Sequence, residues 1–547
     1  MARTPLLQKF QRLVADFQEA TRSSRTVEAV QQERRLQGLT RRDFLKATGA
    51  TVGAAALAGT LPAFAAPTPR IAIIGGGISG LNAALTLHDA GIASTVYEAS
   101  SRVGGRMHSD STSWLNGQTS EHCGELIDSG HASILSLAQR FNLPTVDLHA
   151  AEAPGSTDTY FFGGRYYSAA QANKDFQPVY KRLVVDNNAA PFPTLYNSGF
   201  SEAAFDLDHM SVYQWIASRV PGGHSSKMGQ LLDVAYNVEY GNVTTQQSAL
   251  NLVYLLFNTN QFAIFGASDE RFHISGGNER LPKAIQAALP PRSVQLNTRL
   301  TGIVHNANNS YTLTFAAPEG SVDKTVDRVI MAIPFSVLRG ILQTDAAYRA
   351  AGFSSLKQTA ITQLGYGKNA KLQLQFDSRL WDKTGPWGVS TGTSFADTGY
   401  QNAWDVTRAQ GGTTGIMVAY SGGGVPLSSF TGNTDDPAVV AAFANTFLDE
   451  LDDVFPGISS HWNGRATLDV PLNDPFLLGS YSYWKLGQYT QFSGYEGARQ
   501  PDVNNGKCHF AGEHCSTNFQ GFMEGGAEEG ARAAGEILSD YKAGIFP

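Results

Sequence analysis

Apolar and polar positions along this chain change period from segment to segment. The run RIAIIGGG, from Arg70 to Gly77, is apolar and ends in glycines, which predicts a short buried strand. SGLNAALTLHDAG, residues 79–91, has helical spacing and stops at Gly91. ASTVYEA, residues 93–99, predicts a second strand, so the three make a βαβ unit. From about Ser133 to Phe257 the pattern predicts a largely helical stretch, with loops around Pro154, Pro191 and Gly222. Residues 292–334 read as β: SVQLNTRLTGIV, a polar turn at NANNS, YTLTF, then RVIMAIP. Between 361 and 421, segments such as KLQLQF alternate, which predicts an antiparallel sheet with one open face. GARAAGEILSDYKA, residues 530–543, is helical, and the fold class is α/β.

The first seventy residues follow other rules. Leu6, Phe10, Leu13, Val14 and Phe17 have helical spacing and predict an amphipathic helix. Arg41 and Arg42 precede an uncharged run from Ala47 to Pro69 that contains Ala63-Phe64-Ala65, an A-x-A-like cleavage site. Rich in Ala, Gly and Thr, that run is too weakly apolar for a stable membrane span. Charge, apolar region and small-residue site in this order resemble a twin-arginine-type export signal, a receptor-read address. An exported or periplasmic protein is expected, or a cytoplasmic one if the signal is not used. The other reading is a charged helix end followed by a flexible linker.

Composition narrows the partners. With 41 Lys plus Arg against 48 Asp plus Glu, the net charge is −7, which argues against a general nucleic-acid binder. Three cysteines, Cys123, Cys508 and Cys515, make no disulfide framework. Cys508, His509, His514 and Cys515 lack the paired spacing of zinc sites, so no metal is expected.

The glycines carry the chemistry. Gly75-x-Gly77-x-x-Gly80 joins the first strand to the helix, and Glu98 ends the second strand 18 residues past Gly80. The first glycine allows the turn, the second a pyrophosphate, the third close helix–strand packing, and the carboxylate suits ribose hydroxyls. Ile78 and Ser79 open the helix, whose free N–H groups face the phosphates. Arg102-x-Gly104-Gly105-Arg106 follows at once and suits a second contact with a diphosphate.

Together, GGGISG…YEASSRVGGR resembles the flavin-containing amine oxidase family, and so do CHFAGEHCSTNFQGFMEGGAEEGARAA, residues 508–534, and FHISGGNERLP with QLNTRLTGI. The resemblance implies non-covalent FAD, because Ser482 stands where some relatives carry a flavin-linked cysteine. It implies FAD contacts at Gly75, Gly77, Ile78, Ser79, Gly80, Glu98, Ala99, Gly105 and Arg106. Further contacts are implied at Gly124, Glu125, Leu126, Leu300, Gly512, Glu513, Phe522 and Met523. It implies a discontinuous Rossmann-like FAD-binding domain over 67–130, 272–340 and 500–547. A mainly helical region at 131–271 and a mixed-sheet substrate-binding domain at 341–499 interleave with it, after an N-terminal segment at 1–66. A homodimer is expected from the same resemblance.

The setting GYGKNAK places Lys371 where the family's lysine, associated with reoxidation by oxygen, stands. Tyr483 and Phe522 take the places of the aromatic pair around the substrate, Trp484 could share the first, and Gly521 offers its carbonyl to an amino group. Trp404 and Asp405 come from the substrate-side sheet. The loop EHCGELIDSGH lacks the arginine that some L-amino acid oxidases use for the carboxylate, and Asp405 or Glu125 could equally hold a cation. The preferred reading is an L-amino acid oxidase producing 2-oxo acid, ammonia and hydrogen peroxide. The alternative is a primary amine or polyamine oxidase on the same scaffold.

Overall fold

The computed structural model describes residues 69–257, 263–266, 268–503 and 505–545. The expected N-terminal helix and export signal lie outside the described residues.

Five parallel strands form the first sheet, in the order Cys508–Phe510, Arg328–Met331, Ile71–Ile74, Thr95–Tyr97 and Val294–Gln295. They come from three separated stretches of chain. Alternation splits Ile71–Ile74 between two cores. Ile71 and Ile73 join Leu81 and Leu85 of the helix Ile78–Asp89 and Ile537 of the helix Met523–Lys542. Ala72 and Ile74 join Leu300, Leu313 and Phe315 of an antiparallel meander made of Arg299–His305, Tyr311–Ala317 and Gly320–Val326. The result is three layers, helices, parallel sheet and meander. A side chain joins the two helices: Asn82 Nδ2 donates to the Ala527 carbonyl at 2.7 Å.

A second sheet has six strands, ordered Trp462–Asp469, Ala370–Phe376, Gly415–Ser421, Asn402–Asp405, Ser390–Ala396 and Thr157–Phe161. Leu372, Leu374 and Phe376 pack under the helix Pro437–Asp452. The opposite face was expected to be open, and it is not. Lys371, Gln373 and Gln375 are buried there. The chain from Leu115 to Glu125 covers them: Gln375 donates to the Leu115 carbonyl (3.1 Å), Gln373 and Lys371 to that of Glu121 (3.4 and 3.2 Å). A buried polar row bonded to a covering loop looks, in sequence, like a solvated one.

The helical stretch is present in the helices Ala169–Ala189, Glu202–His209, Val212–Arg219, Lys227–Tyr240 and Ala249–Leu256. It also contains the strand Thr157–Phe161, which pairs in parallel with Ser390–Ala396 at the edge of the six-stranded sheet. Among the described residues no helix is long and apolar enough to cross a membrane.

Candidate active site

A cavity of about 770 Å³ runs from the glycine loop to the face of the six-stranded sheet. The three glycines differ in what surrounds them. Gly75 has φ +106°, and a Cβ there would stand 2.6 Å from the Ala332 carbonyl oxygen. At Gly80 it would stand 2.0 Å from the Gly75 oxygen, whereas Gly77 faces open space. The outer two therefore serve packing, and the middle one leaves room for a ligand. Glu98 holds the loop from below, accepting from Gly76 N–H at 2.6 Å and Ser100 N–H at 2.8 Å. Gly104 N–H donates to the Gly76 carbonyl at 2.9 Å, which docks the second glycine segment on the first.

Ile78, Ser79, Ala99, Gly105 and Leu300 line this end of the cavity beside Gly75, Gly77 and Glu98, and Gly80 packs behind them. Gly124, Glu125, Leu126, Gly512, Glu513, Phe522 and Met523 line its middle and far end. Arg106 Nη1 donates to the Ser480 carbonyl (2.7 Å) and to Glu513 (2.8 Å). The other Glu513 oxygen accepts from Ser482 Oγ (2.7 Å) and Gly521 N–H (2.9 Å). Burial pushes the Glu513 carboxyl up, but Arg106 and these hydrogen bonds together hold it below the ordinary value.

Among the described residues several buried polar atoms have no protein partner: Ser79 Oγ, both ring nitrogens of His514 and Gln520 Nε2. All three residues line the cavity. Buried polar groups are normally satisfied. These orphans, with the open Gly77 and the helix N-terminus at Ile78, fit an elongated phosphate-bearing cofactor.

At the other end, Lys371 Nζ donates to Glu125 Oε2 at 2.7 Å and lies 5.5 Å from the centre of the Trp404 indole. Trp404 Nε1 donates to the other Glu125 oxygen at 2.9 Å. The ring of Tyr420 meets Trp404 edge-on at 5.2 Å, and its hydroxyl donates to that of Tyr481 at 3.1 Å. Tyr481 in turn donates to the Glu239 carbonyl at 2.6 Å. Glu239 and Glu270 also line the cavity. Burial pushes the Glu270 carboxyl up to about 8, with Asp128 adding to it, and burial with Glu270 drives Glu239 well above the ordinary value.

Three expected substrate residues are corrected. Tyr483 is fully buried, its ring over Gly365 and its hydroxyl bonded to Asn242. Trp484 packs in the same core against Tyr489 and Phe492. Asp405 follows Trp404 in the strand and therefore points to the opposite face, where it accepts from Trp381 Nε1 (3.1 Å) and Thr407 N–H (2.7 Å). Tyr481 takes the place expected for Tyr483, facing Gly521, where a Cβ would lie 3.4 Å from its ring. The two-residue strand Ser482–Tyr483 is too short to carry a readable period. Glu239 ends a helix and Glu270 sits in a loop, so no pattern marks them. Among the described residues, no group of three or more His, Cys, Asp or Glu is placed to hold a metal.

A family model described as flavin containing amine oxidoreductase matches residues 78–538. The chain belongs to that family. That family implies a flavin cofactor, and the cavity is the candidate site for it. Relatives include polyamine oxidase 6 of Oryza sativa subsp. japonica, 24% identical, covering 89% of this chain and 94% of the relative. An L-amino-acid oxidase of Siganus canaliculatus is also 24% identical, over 86% and 85% of the two chains. Cyclohexylamine oxidase from Brevibacterium oxydans IH-35A shares the fold with a TM-score of 0.69 at 21% identity, covering 87% of this chain and all of that one.

Proposed function

We propose that this flavoenzyme binds FAD non-covalently and oxidises L-amino acids with oxygen to 2-oxo acids, ammonia and hydrogen peroxide. Bound FAD would take a hydride from the α-carbon and hand the electrons to oxygen. The remaining work falls to the chain. Tyr481 and Phe522 wall the substrate space, and the Gly521 carbonyl, its N–H held by Glu513, is offered to the amino group. Lys371 lines the same end of the cavity, where the oxygen half-reaction would use it.

The observation that carries the substrate reading is that Glu239 and Glu270 both line the cavity, where burial raises both carboxyls. At about 8, the Glu270 carboxyl is mostly an uncharged hydrogen-bond donor at pH 7, and burial with Glu270 raises Glu239 in the same direction. Protonated, such carboxyls form a neutral donor set that can receive a carboxylate without an arginine. Non-covalent binding is supported by the side chains present: Ser480 and Ser482 line the cavity, and burial pushes the Cys123 thiol up to about 12, leaving little thiolate.

The same two carboxyls favour a second reading. Among the described residues no cation is bonded to either, and once ionised they suit the distal ammonium of a diamine or polyamine. The polyamine oxidases among the relatives agree with it. Peroxide release from L-amino acids and from diamines at neutral pH, in the wild type and in a Glu239→Gln/Glu270→Gln variant, separates the two. The amides remain neutral donors, so amino-acid oxidation is expected to survive within a few-fold. Turnover of diamines only, abolished in the variant, would overturn the amino-acid reading.

A further inference from the structure

Glu125 was expected to touch the cofactor, yet both its oxygens are already committed to protein donors. One accepts from Lys371 Nζ at 2.7 Å and the other from Trp404 Nε1 at 2.9 Å. The Lys371 and Glu125 side chains are 5% and 8% exposed, so the pair is largely withdrawn from bulk water. Three separate elements meet at this point. Lys371 stands on the central strand Ala370–Phe376, Trp404 on Asn402–Asp405, and Glu125 on the loop that covers the polar row. Lys371 has three N–H bonds to place. Glu125 takes one, the Glu121 carbonyl takes a second at 3.2 Å, and the third has no protein partner among the described residues. With two donors tied and the Trp404 ring 5.5 Å from the ammonium nitrogen, the third is left for the cavity that Lys371 lines.

We propose that Glu125 is a positioning residue that aims the free N–H of Lys371 at the reacting edge of the bound flavin and balances its charge, with Trp404 locking the carboxylate. The proposal rests on the oxidase reading of Lys371 given above. A carboxylate suits both neighbours because each is a donor. An amide has one acceptor oxygen and an NH₂ group, so Glu125→Gln keeps the shape and must present a donor to either Lys371 or Trp404.

The test uses holoenzyme with Lys371→Met, Glu125→Gln and the double substitution, each checked for flavin content and melting temperature. Reoxidation of the reduced enzyme by oxygen and anaerobic reduction by substrate are followed separately in stopped flow. Glu125→Gln is expected to slow reoxidation about tenfold or more, as a misplaced catalytic group does, and to change reduction far less. The double variant should match Lys371→Met to within about twofold, because a residue acting only through Lys371 has nothing left to align. The flavin reduction potential should shift upward in Glu125→Gln, where the ammonium loses its counter-charge, and downward in Lys371→Met. Glu125→Gln reoxidising at the parental rate while Lys371→Met is slow would overturn the proposal, as would additive losses or an unshifted potential in Glu125→Gln. An unchanged Lys371→Met would instead overturn the role of Lys371 itself.

Discussion

At Glu270 the backbone takes φ +45°, a conformation that costs free energy for a residue with a side chain and marks a position held by its surroundings. Asp128 does the holding, accepting from Glu270 N–H and Ser268 Oγ at 2.9 Å each. Because burial and then Asp128 raise the Glu270 carboxyl to about 8, its proton is present below that pH and lost above it. The folded value exceeds the unfolded one, so any stability tied to this group is intact below the ordinary carboxylate value and declines as pH rises toward 8. Carboxylate binding at this end should follow the same sign. The affinity of a simple unreactive carboxylate such as benzoate, read from the flavin spectrum, is expected to fall above pH 8 by up to about tenfold per unit, one proton being linked. Glu270→Gln should flatten that fall, and a profile unchanged by the substitution would remove Glu270 from the donor set. Little of this was readable beforehand. Lys371, Phe522 and Trp404 sit in recognisable settings, whereas Glu239, Glu270 and Tyr420 reach the cavity from a helix end, a loop and a strand far apart in the chain.

Helix packing shows the same limit one level up. The helix Met523–Lys542 lies against Ile78–Asp89, and its glycines are indistinguishable in sequence. A Cβ on Gly530 would sit 2.0 Å from the Ser79 carbonyl oxygen, which is backbone and cannot swing away. A Cβ on Gly535 would meet nothing within 4 Å. Gly530→Ala is therefore expected to destabilise by about 1–3 kcal/mol through overpacking and to lower flavin content, since Ser79 lines the cofactor end. Gly535→Ala should instead stabilise by up to about 1 kcal/mol, the helix-propensity difference. Thermal or denaturant melts of both variants decide this; equal effects would show that the two helices do not meet as described. The sheets were legible where the chain alternates over seven residues, as in Ala370–Phe376. The edge strand Thr157–Phe161 was not, because five residues inside a helical stretch carry too little period.

Across the whole molecule, the cavity is lined by segments near residues 75, 98, 300, 333, 371 and 513. A ligand gripped by segments so distant in sequence binds only the nearly complete fold, so it stabilises that fold by mass action. Apoprotein is expected to melt below holoenzyme, and FAD added at 100 times its dissociation constant should restore about 2.7 kcal/mol. Melting unaffected by FAD would mean the cavity is not its site. The family was legible because the glycine loop and the C-terminal motif are contiguous stretches whose spacing follows from phosphate and helix geometry. The substrate was not, because its walls come from residues that only folding brings together. The central claim is tested most directly by adding L-amino acids without oxygen to the purified yellow protein, with diamines as the comparison. The account predicts that L-amino acids bleach the flavin absorbance, and that air restores it with an equivalent amount of hydrogen peroxide. A colourless protein, or bleaching by diamines and by no amino acid, would contradict it.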